Sequence, residues 1–397
     1  MAVRSTTPDT ALAIYVHVPY CRTLCPYCDF VKERLPHGEV PTPFIDALCQ
    51  EIAAFDGPRT AASVFFGGGT PSLFGGDGLR RVLDTLAARF ALADAEITLE
   101  ANPDDVTRER TETWRAAGVN RVSLGVQSFD AACLRYLGRR HDATQAETAC
   151  HATADAFDTW NLDLIFGAPP VAAWPATLAR VQALAPPHIA AYGLTYEAGT
   201  PFERRTHEAV DDETALAMYQ AAERAFAGYN HYEISNWAKP GHQSRHNLVY
   251  WHNGEYAGFG TGAYSYVGGV RARNHTTTDA YLRAPGAKCE ALPLDEMEQR
   301  VETVIQYLRL RTGLPKAAYA ARFGHDVSAD FGPYLTALAH RGLLEEGPTH
   351  WRPTAEGFYL NNEIGLALVG ACEENPRKTG TQIARTLGRD TRDQIAE

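Results

Sequence analysis

Residues 13–30 read A-I-Y-V-H-V-P-Y-C-R-T-L-C-P-Y-C-D-F. A short apolar run, 13–18, stops at Pro19 and leads into a loop with three cysteines, Cys21, Cys25 and Cys28. An apolar run of this length predicts a buried strand. Tyr15 and His17 are two residues apart and therefore share one face of it. Three thiols spaced Cys-x3-Cys-x2-Cys can wrap one metal centre from a single loop. Structural zinc takes four ligands, and His17 offers the fourth. An iron–sulfur cube also normally takes four cysteines, so a cube held by three keeps one iron open to a substrate or cofactor. The spacing alone allows both.

The strand-then-polar-loop unit repeats outward from this stretch. Residues 62–66 (A-S-V-F-F) run into G-G-G-T, 96–100 (E-I-T-L-E) end on Glu100, and 121–126 end at Gln127. Further strands are expected at 161–165, 189–194 and 232–234. Helical periodicity falls between them, over 44–55, 78–90, 107–117 (closed by Gly118), 130–137, 143–157, 176–184 and 211–228. Such alternation implies right-handed crossovers and a parallel sheet. The fold class is α/β: a partial (β/α) barrel over residues 13–235, with chemistry at the C-terminal strand ends. Residues 1–12 are set apart as an N-terminal extension. Residues 236–290 form a segment rich in glycine and aromatic residues. Residues 291–373 read as a smaller, mostly helical domain, with helices at 298–310, 314–323, 334–341 and 355–369 and a β signal at 350–353. Residues 374–397 read as a tail.

The chain has 397 residues, 45% hydrophobic and 21% charged, which suits a globular protein. Lys plus Arg is 37 and Asp plus Glu is 48, a net charge of −11, which repels phosphate backbones and argues against nucleic acid as a partner. No apolar run is long enough for a membrane helix, and residues 1–10 carry no apolar leader core, so a cytoplasmic location is expected. Eight cysteines are too few for a disulfide scaffold. Outside the loop, Cys49, Cys133, Cys150, Cys289 and Cys372 read as small packing residues.

Taken with the motifs that follow in order, the loop resembles that of the radical S-adenosylmethionine (SAM) superfamily. These motifs are G-G-G-T-P at 67–71, E-A-N-P with Glu100, G-V-Q-S-F with Gln127, L-G-R-R-H with Arg139, and N-L-D-L-I-F-G with Asp163. They are similar to the branch that contains the oxygen-independent coproporphyrinogen III oxidases (HemN) and the haem chaperones (HemW). The resemblance implies a [4Fe-4S] cluster on Cys21, Cys25 and Cys28, with SAM chelated to the open iron. It implies that Gly68, Gly69 and Thr70 lie along the methionyl part of SAM and that Glu100 meets its ammonium. Arg139, or its neighbour Arg140, would meet the carboxylate, Asp163 the ribose hydroxyls, and Gln127 a further polar group. Tyr15 and Tyr27 would pack beside the cluster and the adenosyl group.

Two features bear on the branch. The oxidases usually carry a further cysteine two positions after the third, where this chain has Phe30. S-R-H-N-L-V-Y-W at 244–251 resembles the H-N-x-x-Y-W motif of the chaperone group, which implies His246 as an axial haem ligand. If 244–251 is helical, His246, Asn247, Tyr250 and Trp251 share one face. The function implied is a haem chaperone that passes haem to client haem proteins. Haem is then a third cofactor, and the electron donor would be a flavodoxin or ferredoxin. The alternatives are an oxygen-independent coproporphyrinogen III oxidase and a HemN-like methyltransferase. Tyr264, in G-F-G-T-G-A-Y-S-Y at 258–266, stands where the branch often has histidine, and this keeps those alternatives open.

Overall fold

The computed structural model describes residues 11–373. The tail at 374–397 and residues 1–10 of the extension lie outside them. Six strands follow one another through the first half: β1 (Leu12–Val18), β2 (Ala61–Gly68), β3 (Glu96–Ala101), β4 (Arg121–Gln127), β5 (Thr159–Phe166) and β6 (His188–Gly193). They pair in sequence order, all parallel. The helices between them include Thr42–Ala54, Gly76–Arg89, Arg108–Ala117, Ala143–Ala156 and Trp174–Leu184. Thr107 caps Arg108–Ala117 through the Arg110 amide, and left-handed Gly118 (φ 114°) closes it.

The chain continues through β7 (Asn230–Glu233), β8 (Asn236–Ala238), β9 (Tyr256–Gly260), β10 (Tyr264–Val267), β11 (Val270–Asn274) and β12 (Lys288–Pro293). The sheet runs β12-β11-β10-β9-β1-β2-β3-β4-β5-β6-β8-β7, with no pairing between its ends among the described residues, a partial barrel. The strand expected at 232–234 corresponds to β7, but it does not continue the parallel series. Only Ile234 and Ser235 separate β7 from β8, too short for a crossover, so the two form a hairpin and β8 runs antiparallel to β6. The segment 236–290 is no separate body in the sheet. Its strand β9 lies parallel to β1, with Tyr15 opposite Gly258, and carries β10–β12 as an antiparallel edge.

Each parallel strand alternates by face. Ile14, Val16, Val64, Phe66, Leu99, Val122, Leu124, Leu162 and Leu164 pack outward with the helices in the main core. The intervening positions point to the concave side and are mostly polar: His17, Ser63, Glu96, Thr98, Arg121, Ser123, Asn161, Asp163 and His188. At about 25 cal/mol per Å² the outward face dominates the stability. The polar inner face holds the groups available for chemistry.

The C-terminal domain has its own core, with Val301, Leu308, Tyr319, Phe331, Leu335 and Trp351. Its helices include Glu296–Tyr307, Lys316–Phe323 and Val327–His340. The last begins seven residues before the expected start at 334 and runs through Pro333. Val327, Phe331, Leu335 and Leu338 form one buried stripe along it, and that burial outweighs the backbone bond lost at proline. A buried Arg271–Glu302 pair (2.9 and 3.0 Å) ties this domain to β11.

Candidate functional site

The cysteine loop leaves the C-terminal end of β1 and folds back, so that Tyr20–Cys21 pairs with Glu33–Arg34. Cys28 N–H donates to the Cys25 carbonyl (3.3 Å), Phe202 N–H to the Pro26 carbonyl (3.1 Å), and Lys32 Nζ to the Cys28 carbonyl. Its three cysteines are free thiols. Burial pushes the Cys21 thiol up to about 12 and also raises Cys28. Metal binding must therefore displace protons from them.

Three strand ends are bonded together around the loop. Arg139 donates from Nη1 to Cys25 Sγ (3.6 Å) and from Nη2 to the Gly125 carbonyl (2.6 Å) and to Asn102 Oδ1. Asn102 Nδ2 donates to Thr70 Oγ1 (3.2 Å), and Thr70 is hydrogen-bonded with Cys21. The chain Cys25–Arg139–Asn102–Thr70–Cys21 thus joins the cysteine loop to the ends of β2, β3 and β4. Arg139 is the member of its pair in this ring, because Arg140 turns outward to Asp104 (3.0 Å). Asn102 was not among the expected site residues. Its signal was its place in E-A-N-P, directly after the end of β3.

Gln127 ends β4 beyond a bulge in the register, with φ 65° in the left-handed region that non-glycine residues avoid. Its Oε1 is buried with no hydrogen-bond partner among the described residues, an open acceptor at the strand ends. Asp163 on β5 is held by Ser123 Oγ (3.3 Å) and by Asn161 Nδ2, and burial lifts its carboxyl to about 6. Glu100 stands near the end of β3, opposite Ser123 on β4. Tyr27 packs near Phe202 (rings 6.2 Å apart) and against the small apolar cluster that contains Leu137.

The glycines after β2 have a packing reason. A Cβ at Gly68 (φ 99°) would lie 2.4 Å from the His17 ring, and one at Gly69 would lie 2.6 Å from the Val18 carbonyl. Glycine there lets the β2 end close on the β1 end. His17 itself is a strut. Its Nε2 bonds the Val31 carbonyl (2.7 Å) and its Nδ1 the Tyr15 hydroxyl (3.1 Å). A carbonyl only accepts, so Nε2 carries the proton and Nδ1 accepts from Tyr15. Burial lowers this histidine to about 4, so it is neutral. Both nitrogens are engaged, so in this arrangement neither is open to a zinc ion. Among the described residues, no three His, Cys, Asp or Glu side chains gather closely enough for a single metal ion. Three thiols on one loop, a guanidinium donating to one of them, and an open buried acceptor fit a cluster with an exogenous ligand.

His246 lies deeper. Residues 245–251 are helical (Arg245–Trp251), capped by Ser244. His246 is buried, with Nδ1 bonded to Ser63 Oγ (2.9 Å) and Nε2 to the Tyr250 hydroxyl (2.9 Å). Its ring stacks on Phe65, 5.0 Å away, and burial lowers it to about 3. Ser63 pairs with Ala13 and Gly67 with His17, so the Ser63–His246 layer lies beneath Tyr15 and Phe65, inward from the strand ends. In this arrangement neither ring nitrogen of His246 is open to iron.

Family models match in two places: the Radical SAM superfamily over residues 15–173 and the HemN C-terminal domain over 294–360. A heme chaperone HemW from Escherichia coli (strain K12) is 35% identical over 377 residues, spanning 90% of this chain and 98% of the relative. One from Mycobacterium tuberculosis (strain ATCC 25618 / H37Rv) is 40% identical over 386 residues, spanning 91% and 96%. Among solved structures, the coproporphyrinogen III oxidase HemN from Escherichia coli superposes with a TM-score of 0.80 at 23% identity. That match covers 92% of this chain and 91% of that one, a likeness of fold.

Proposed function

The chain belongs to the heme chaperone HemW family within the radical SAM superfamily, and we propose from there that it binds haem and delivers it to client haem proteins. The observation that carries this is near-full-length similarity to relatives named heme chaperone HemW, joined to a site whose cysteine loop is bonded to three strand ends. Cys21, Cys25 and Cys28 would hold a [4Fe-4S] cluster, which when bound supplies an iron open to the amino and carboxylate groups of SAM. Thr70, Glu100, Gln127, Arg139 and Asp163 would surround SAM, with Gly68 and Gly69 shaping the floor and Tyr15 and Tyr27 flanking it. Arg139 reaches Cys25 and can share its fork with a carboxylate. Gln127 Oε1 offers the acceptor that an ammonium or hydroxyl requires. The working location is the cytoplasm, and the electron donor a flavodoxin or ferredoxin.

Axial ligation by His246 belongs to the same proposal and carries a condition. Nε2 must exchange the Tyr250 hydroxyl for iron. The test uses anaerobically reconstituted protein, haem titration, transfer to an apo-haem protein and a CO2 assay with coproporphyrinogen III. Wild type should bind and transfer haem and release no CO2. His246→Ala should shift the Soret band, while Tyr250→Phe, which frees Nε2 and keeps the imidazole, should retain the wild-type band. An unchanged band in His246→Ala removes that ligand. CO2 release without haem binding replaces the chaperone reading with the oxidase.

A further inference from the structure

A cation beside the cysteine loop has no role in the site so far. Arg273 on β11 stands directly across from Tyr264 on β10, and its guanidinium lies over the Tyr264 ring at 4.6 Å. Its Nε is buried with no hydrogen-bond partner among the described residues. Neighbouring cations are committed, Arg271 to Glu302 and Lys288 to Glu51 and the Asn274 side chain. Arg273 has no such carboxylate among the described residues.

Its position is set by the strand ends. The turn between β9 and β10 presses on the cysteine loop: a Cβ at Gly262 would lie 2.8 Å from Val31 Cγ2. Val31 is the residue whose carbonyl His17 holds. The Arg273 charge also acts on His17. A guanidinium held over an aromatic ring by its central carbon keeps N–H groups at its rim for another partner, and that fork matches a carboxylate. Tyr264 therefore does more than occupy a histidine's place: it orients the arginine opposite.

We propose that Arg273, oriented by Tyr264, is a carboxylate-binding residue at this end of the barrel. On the haem reading above, its ligand is a haem propionate. The methionyl carboxylate of SAM has the same chemistry, and the test separates the two. Anaerobically reconstituted wild type, Arg273→Gln, Arg273→Lys and the exposed control Arg283→Gln are titrated with haem, haem dimethyl ester and SAM. Wild type and Arg283→Gln should prefer haem to its diester by about tenfold, the scale of one charge-assisted hydrogen bond. Arg273→Gln should lose that preference with SAM affinity unchanged, and Arg273→Lys should keep part of it. A fall in SAM affinity alone makes the methionyl carboxylate the ligand. If the preference and SAM affinity both survive in Arg273→Gln, the proposal is overturned. A wild type that binds neither haem form defeats the haem reading, and the SAM arm then decides on Arg273 by itself.

Discussion

Asp163 shows at the residue scale how an inner-face carboxylate differs from an ordinary one. Its folded pKa is about 6 against the usual 3.8, chiefly through burial. The folded state therefore holds the proton more tightly than the unfolded chain. The neutral form prevails below about pH 6, and ionisation costs stability as pH rises through that value. Asp163→Asn removes the cost, so ligand-free variant should exceed wild type in stability at pH 7.5, on the order of 1–3 kcal/mol. The gap should close towards about pH 4, as urea melts at several pH values would read. SAM affinity has the opposite dependence in wild type. It should strengthen as pH rises through about 6, because the ionised carboxylate is the better acceptor for ribose hydroxyls. In Asp163→Asn that slope should vanish. Parallel stability curves for the two proteins would contradict the burial argument.

The junction of β1, β2 and the cysteine loop makes the corresponding case at the scale of elements. Gly68 and Gly118 both have positive φ, 99° and 114°. A Cβ at Gly118 meets nothing within 4 Å among the described residues, whereas one at Gly68 strikes the His17 ring. Gly118→Ala should thus cost only the backbone strain, about 1 kcal/mol. Gly68→Ala should cost more and push His17 off the Val31 carbonyl, loosening the loop. Iron and sulfide content after reconstitution should fall in Gly68→Ala and stay near wild type in Gly118→Ala. Equal content in both would show that the strut has no bearing on the cluster.

For the whole molecule, the attachment of the C-terminal domain rests partly on a buried ion pair. The side chains of Arg271 and Glu302 are 9% and 5% exposed, so neither charge can fall back on water if its partner is lost. Glu302→Ala should destabilise the protein by about 3–5 kcal/mol, while Arg271→Met with Glu302→Leu should come close to neutral. Denaturant midpoints for the single and double variants measure the coupling. A small single-variant effect would place the tether elsewhere, with Arg311–Glu223 (3.1 Å) the next contact to test.

Local pattern was enough to read the strand–helix alternation from 13 to 228, the cysteine loop after β1, and the polar residues that end β2 to β5. Each of these depends on residues close in the chain, through strand period, helix period and glycine or proline punctuation. The alternation of polar inner and apolar outer positions was also present in the sequence, and it marks Ser63, Glu96, Arg121 and His188 as interior. Pairings between distant residues were not legible. His246 meets Ser63 across 183 positions, and Arg139 meets Asn102 across 37. Arg273 reaches the neighbourhood of His17 only because β9 inserts beside β1. The antiparallel turn of β7 and the closure of both histidines' nitrogens likewise depend on which strands become neighbours. The sequence by itself determined which residue types face the barrel interior. Only the tertiary structure decided which of them satisfy one another, because hydrogen-bond partners are chosen by proximity in space and the sheet order sets that proximity.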